Sequence, residues 1–354
     1  MGKESIPDMD LCKLAYHPER VAEWKQTGDC FPVYVEVGPT NRCNHNCMFC
    51  ALDWVERGEI RIDKKVLCKN LEDMARSGVE SVMFAGEGEP LAHPNAQKFV
   101  QEARKNNMEV YLTTNGVLLT RKRVEEIIPY LSWIRFSVDA GTRESYGKIH
   151  RTREEDFDRV WRNIGDCVDV GRTSTRGFNV SVQTLLLSEN IGEIERLAEL
   201  CKQNGVSNLQ VKPYSHHPDS KNDLSVDLES AQRLGERLKR FEDGTFRVFY
   251  RGKSVERLTS EKGYSECLGL PFFALIDASG NVLPCNLFYE KPEFYYGNIN
   301  HQMFSELWKG DKRKQVLERL RQQGIGGCRD GCRLDPSNRY LSIVKNPGAY
   351  YRGL

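Results

Sequence analysis

No run of 18 apolar residues occurs in this chain, which excludes a membrane-spanning helix. There is no excess of one charge either. Lys and Arg number 51 and Asp and Glu 50, a net charge of +1, which argues against a broadly basic nucleic-acid surface or an acidic tail. No low-complexity tract or flexible linker is evident. Glycine (29) and proline (14) are too few, and hydrophobic residues at 39% too many, for a disordered or fibrous chain. The start, Met1–Ser5, is polar and does not read as a signal peptide. The expectation is a cytoplasmic protein that partners neither nucleic acid nor membrane. What the chain has in plenty is cysteine, twelve of them. In a reducing compartment clustered thiols indicate metal or catalysis rather than disulfides.

Short β-branched or aromatic runs read as strands at 33–37, 81–84, 109–113, 133–138, 179–186 and 208–214. Helical patterns lie between them, with Asp63 and Asn190 as N-cap residues and Gly78 and Gly205 as stops. Six strand–helix units in a row predict an α/β fold with a parallel sheet, closed or nearly closed as a barrel. After about residue 250 the rhythm changes. Residues 272–276 and 282–285 read as a hairpin around Ser279-Gly280, followed by helices over 303–309 and 312–322. The expected divisions are an N-terminal extension (1–30), the barrel (31–250), a small C-terminal α+β module (251–335) and a tail (336–354).

Cys43, Cys47 and Cys50 follow the first strand at C-x3-C-x2-C spacing. Three thiolates on one loop can hold three corners of an iron–sulfur cube and leave the fourth iron open to a ligand. His45, as a fourth ligand, would instead close a Cys3His zinc site. Cys267, Cys285, Cys328 and Cys332 form a second group. Four thiols can close a cluster or hold zinc.

A C-x3-C-x-aromatic-C loop after the first strand of a parallel barrel resembles the signature of radical S-adenosylmethionine (SAM) enzymes. The resemblance covers roughly residues 31–250 and implies a partial (β/α)6 TIM-like barrel. It also implies a [4Fe-4S] cluster on Cys43, Cys47 and Cys50, whose open iron chelates the amino and carboxylate groups of SAM. Reductive cleavage of SAM would then give a 5′-deoxyadenosyl radical. By the same resemblance Phe49 lies against the adenine. Gly88 and Glu89, in Ala85-Gly86-Glu87-Gly88-Glu89-Pro90, contact the methionine amino group, with Glu87 standing where the family has its first glycine. Ser137 and Asp139 reach the ribose or carboxylate, Arg151 pairs with the carboxylate, and Thr113 and Asn115 lie at the cofactor mouth. The second cysteine group resembles the twitch module, a shortened SPASM domain that carries one auxiliary [4Fe-4S] cluster. Its Cys267–Cys285 interval is similar to that of butirosin-type aminocyclitol dehydrogenases within the family.

Polar residues inside barrel strands are expected to face the lumen, here Glu36, Arg135, Gln183, Lys212 and Tyr214. They suggest a charged, hydrogen-bonding pocket for a polyhydroxylated or phosphorylated, carbohydrate-like small molecule such as a sugar, nucleotide-sugar or aminocyclitol. Arg135, Lys212, Tyr214 and the hydrogen donor Cys30 are the catalytic candidates. The expected reaction is oxidation of a hydroxyl to a ketone, with the auxiliary cluster as electron acceptor and flavodoxin or ferredoxin as electron donor. Epimerisation or dehydration by the same radical, peptide modification, and a zinc- or cluster-stabilised binding protein are the alternatives. Cys68, Cys167 and Cys201 fall on predicted helices and read as inert thiols.

Overall fold

The computed structural model describes residues 12–174, 177–226, 228–251 and 261–347, so the polar start Met1–Ser5 lies outside the described residues. Six strands anticipated from the sequence form: β1 (Tyr34–Val37), β2 (Ser81–Phe84), β3 (Glu109–Thr114), β4 (Trp133–Ser137), β5 (Asn179–Leu186) and β6 (Asn208–Pro213). They pair in order, all parallel, and a further short strand, β7 (Arg247–Tyr250), extends the sheet parallel to β6. The C-terminal hairpin is β8 (Phe273–Ile276) and β9 (Asn281–Leu283), with β10 (Gly297–Asn298) antiparallel to β9. It does not stand apart from the barrel: β8 lies parallel beside β1, so ten strands make one open sheet.

The helices are α1 (Pro18–Thr27), α2 (Lys64–Arg76), α3 (Ala96–Lys105), α4 (Arg121–Ile127), α5 (Arg143–His150), α6 (Glu155–Arg172), α7 (Ile194–Gln203), α8 (Leu228–Leu238), α9 (Phe304–Lys309), α10 (Asp311–Gln323) and α11 (Asp335–Lys345). Asp63 caps α2 by accepting the Lys65 and Val66 amides at 2.7 and 3.1 Å. The face of α2 that carries Leu67, Leu71 and Met74 is fully buried, about 1.5–3 kcal/mol for each side chain. Asn190 does not cap a helix. Its side chain instead accepts the Leu187 amide and donates to the Asp139 and Leu185 carbonyls, because the loop after β5 is buried and its polar groups need partners. A 3₁₀ turn intervenes before α7 begins at Ile194. Among the described residues no helix is long and apolar enough to cross a membrane.

Each strand has two different faces. Val35, Val82, Leu112, Ile134 and Val182 are buried against the helices. The alternate residues Glu36, Met83, Thr113, Arg135 and Gln183 stand on the concave side, neighbours in the strand register. The concave side therefore carries polar and charged side chains, whereas the helix-facing side is apolar.

Candidate functional site

The loops at the C-terminal ends of β1 to β4 are fastened to one another. Glycine is needed at Gly88, where a Cβ would sit 2.3 Å from the Thr40 carbonyl oxygen and 2.5 Å from that of Arg42. Gly86 has a φ of 118° and lies against Gly38 at the end of β1. The β2 loop therefore packs directly on the segment that leads to Cys43. Glu89 is buried and accepts the Leu91 and Asn115 amides and, at 2.6 Å, the Thr114 hydroxyl. It braces the β2 loop against the turn after β3. From that turn the Asn115 amide donates to Asn44 Oδ1 at 2.8 Å, inside the cysteine loop.

The Cys47 thiol is pushed well up by burial and then by the neighbouring Cys43 and Cys50, so the three sulfurs share one site. Two of them receive side-chain N–H groups. Arg57 donates to Cys50 Sγ at 3.2 Å and also to the His45 carbonyl. His150, at the end of α5, places Nδ1 3.4 Å from Cys47 Sγ. Its Nε2 accepts the Asp139 amide at 3.1 Å, and burial holds its pKa well below the usual histidine range. The ring is therefore neutral with its proton on Nδ1, and it donates to sulfur. The Phe49 ring meets the His150 ring edge-on, with centroids 5.4 Å apart. Asp139 is buried, accepts the Leu185 amide at 2.6 Å and is pushed up to about 7 by burial.

At the second site, burial and the fields of Cys332 and Cys328 push the Cys267 thiol up to about 12. Cys285 is raised by burial and by the other three sulfurs. Four thiols thus converge from the start of the hairpin, its end and the segment between α10 and α11. Asn338, within the expected tail and on α11, donates its side-chain amide to Cys267 Sγ at 3.5 Å.

Both groups suit a cluster better than a single ion. Zinc holds its thiolates at about 2.3 Å, which brings the sulfurs within about 3.8 Å of one another. Among the described residues the only set of three or more His, Cys, Asp or Glu ligand atoms mutually within 4.8 Å is His45, Cys47 and His150. Neither the three sulfurs nor any three of the four close to zinc spacing, as befits thiols set around a cube. In that one closer set, His150 already has both ring nitrogens engaged. His45 turns its ring toward Tyr146 and His150, with Nε2 3.8 Å from Asp156.

On the concave side Lys212 donates to Gln183 Oε1, and Arg135 Nη1 stands 3.5 Å from the same oxygen. Glu36 accepts Tyr34 OH at 3.4 Å and forms an ion pair with Arg333, the residue after Cys332. Thr113 Oγ1 faces Met83 Sδ at 3.5 Å, and Ser137 lies opposite Gln183 in the register. Tyr214 is buried just past β6. Arg151 is exposed in a left-handed conformation (φ 47°) at the end of α5, next to His150. Cys30 is packed in a separate apolar cluster with Leu14, Trp24, Phe272 and Leu341, its thiol pushed up to about 12 by burial and Asp29.

Arg57, His150, Arg333 and Glu87 are the residues that sequence reading missed as site residues. Glu87 accepts the Ala278 amide at 2.7 Å and the Tyr289 hydroxyl at 3.1 Å, tying the β2 loop to the C-terminal hairpin. Its presence where the family has glycine was the available signal.

Comparison with known proteins agrees with this geometry. Residues 37–201 match the model of the radical SAM superfamily, and residues 267–333 match that of an iron–sulfur cluster-binding domain, SPASM. A GTP 3′,8-cyclase of Chlorobaculum tepidum is 29% identical over 52% of this chain and 55% of its own length. The chain thus spans about half of that relative. The PqqA peptide cyclase of Gluconobacter oxydans is 25% identical over 76% of this chain and 74% of its own. In fold, the structure is similar to Streptococcus suis SuiB bound to precursor peptide SuiA, with a TM-score of 0.69 at 18% identity, covering 99% of this chain and 82% of that one. The cofactors that go with these two domains are SAM and two [4Fe-4S] clusters. Residues 37–201 thus carry a radical SAM domain and residues 267–333 a SPASM-type iron–sulfur cluster-binding domain.

Proposed function

We propose that this enzyme oxidises a hydroxyl-bearing carbon of a polar, carbohydrate-like small molecule held on the concave face of the sheet. The observation that carries the reading is the Glu36–Arg333 ion pair, which joins the loop of the four-thiol site to the substrate face of β1. Arg329, between Cys328 and Cys332, adds bonds to Ser215 Oγ (3.2 Å) and the Ser215 carbonyl beyond β6. The segment that carries Cys328 and Cys332 is thereby tied both to β1 and to the chain beyond β6, which supports an electron-accepting role for the second cluster.

When bound, SAM and the first cluster supply the 5′-deoxyadenosyl radical. Oxidation of a carbinol to C=O gives up one hydrogen atom, one proton and one electron; the radical would take the first, a base the second and the second cluster the third. Phe49, Gly88, Glu89, Thr113, Asn115, Ser137, Asp139 and Arg151 are proposed to line the SAM site. Glu36, Arg135, Gln183, Lys212 and Tyr214 are proposed for the substrate. A flavodoxin or ferredoxin is the proposed electron donor.

The test is turnover of reconstituted, reduced enzyme on carbohydrates deuterated at the carbinol carbon. The expected result is a product two mass units lighter than unlabelled substrate, with deuterium in 5′-deoxyadenosine. Solvent deuterium at carbon without loss of mass would instead mean epimerisation. Likeness to PqqA peptide cyclase supports a second reading, peptide modification. In that case a precursor peptide would be altered and every carbohydrate left unchanged.

A further inference from the structure

Arg135 and Lys212 both turn to one neutral acceptor, Gln183 Oε1. Among the described residues neither has a carboxylate within 4.0 Å. Arg135 Nε is buried without any hydrogen-bond partner, and its guanidinium lies over the Trp133 ring at 4.4 Å. A buried cation without a counter-charge is costly unless a ligand supplies one.

The surroundings add charge of the same sign. Arg251 follows β7, with its backbone amide on the Val211 carbonyl at 3.0 Å, and Arg333 enters from the second cysteine loop. Among the described residues the carboxylate here is Glu36, which is already engaged by Arg333. Burial, and then Arg135, Arg251, Arg333 and Lys13, hold the Lys212 ammonium well below its ordinary value. The other buried carboxylates near the barrel mouth have separate duties: Glu89 on the β3 turn, Glu87 on the hairpin, Asp139 on Leu185.

We infer that Arg135, Lys212 and Gln183 form a subsite for an anionic group of the substrate, phosphoryl or carboxylate. The subsite selects acidic carbohydrates, including sugar phosphates, nucleotide sugars and uronates. It rejects amino sugars and aminocyclitols, whose ammonium groups would face like charge. Arg135 lies two residues before Ser137 on β4, so the anion sits about 7 Å deeper along the strand than the mouth of the barrel. A reactive carbon at the mouth and an anionic anchor below it would define the substrate's orientation.

This inference rests on the reading that the concave face holds the substrate, but its test is binding and does not need turnover. Reconstituted holoenzyme is titrated calorimetrically at millimolar concentrations with glucose 6-phosphate, glucuronate, inorganic pyrophosphate, glucose and glucosamine. The expected result is binding of at least one of the three anions at least tenfold tighter than that of glucose or glucosamine. The affinity should fall as salt rises, and fall at least tenfold in both Arg135→Gln and Lys212→Gln. Whether phosphate or carboxylate is preferred identifies which anion the subsite takes. Wild-type salt dependence provides a readout that no folding defect in a variant can mimic. Equal binding of neutral and anionic sugars, no anion binding at all, or undiminished anion binding by folded, iron-loaded variants would overturn the subsite. If anions bind as expected and no ketone forms, the oxidation reading fails and the subsite stands.

Discussion

The two cysteine sites solve different problems with the same ligand. The first is carried on one loop after β1, is braced by the loops of β2 and β3, and gives N–H donors to Cys47 and Cys50 from His150 and Arg57. The second draws four thiols from three places far apart in sequence, and among the described residues its sulfur contact from a neutral side chain is the Asn338 amide on Cys267. Three ligands leave an iron free to bind SAM, whereas four leave nothing open. The first site thus leaves room for a ligand, and the second, on the function proposed above, would hold an electron.

Removing ligands breaks this comparison most severely. Cys47→Ala should lower iron from about eight to about four per chain and abolish 5′-deoxyadenosine formation. Cys285→Ala should also lose about four iron yet still cleave SAM when reduced chemically, while losing the ketone product. Iron and sulfide analysis with chromatography of the nucleoside checks both.

The next effect concerns Glu87, which joins the two halves. Its carboxyl is pushed up to about 8, by burial first and then by Asp277. A carboxyl raised in the folded state favours folding while it is protonated, and that contribution is lost as pH rises from about 4.5 through 8. Stability should therefore fall by roughly 3–5 kcal/mol across this window from Glu87 alone. Glu87→Gln retains an acceptor for Ala278 and should flatten the profile in denaturant titrations.

A smaller change sharpens the contrast. Arg57→Leu removes a charged donor worth about 1.5 kcal/mol, or about 60 mV for one electron. The first cluster's reduction potential should drop by that order, and the second should not move, in a redox titration followed by electron paramagnetic resonance. Asp63→Ala should have the smallest effect. It removes the cap of α2 and should lower the midpoint of chemical denaturation slightly without altering either cluster.

The barrel was legible because its strands are short, β-branched and separated by amphipathic helices; β2 and β5 have the same ends in sequence and structure. The two cysteine groups were legible because their spacing sets them apart from the other thiols, and in the fold each group comes together. What was hidden depends on tertiary approach. The four residues of β7 carry too little pattern before the charged Arg251, and α5 is a short eight-residue helix. The union of hairpin and barrel through β8 and β1 is a pairing between segments more than 230 residues apart, which no local pattern encodes. The donors to sulfur were hidden for the same reason: His150 is 103 residues from Cys47. Polar alternation did identify Arg135, Gln183 and Lys212 as concave-face residues, but not that the two cations share one neutral oxygen.

The division between an open and a closed cluster is tested most directly by adding SAM to the reduced, reconstituted holoenzyme and recording its electron paramagnetic resonance spectrum. The account predicts two reduced [4Fe-4S] signals, one of which shifts with SAM while the other is unchanged and disappears in Cys285→Ala. A single signal, two signals that both respond to SAM, or zinc in place of iron at the second site would contradict it.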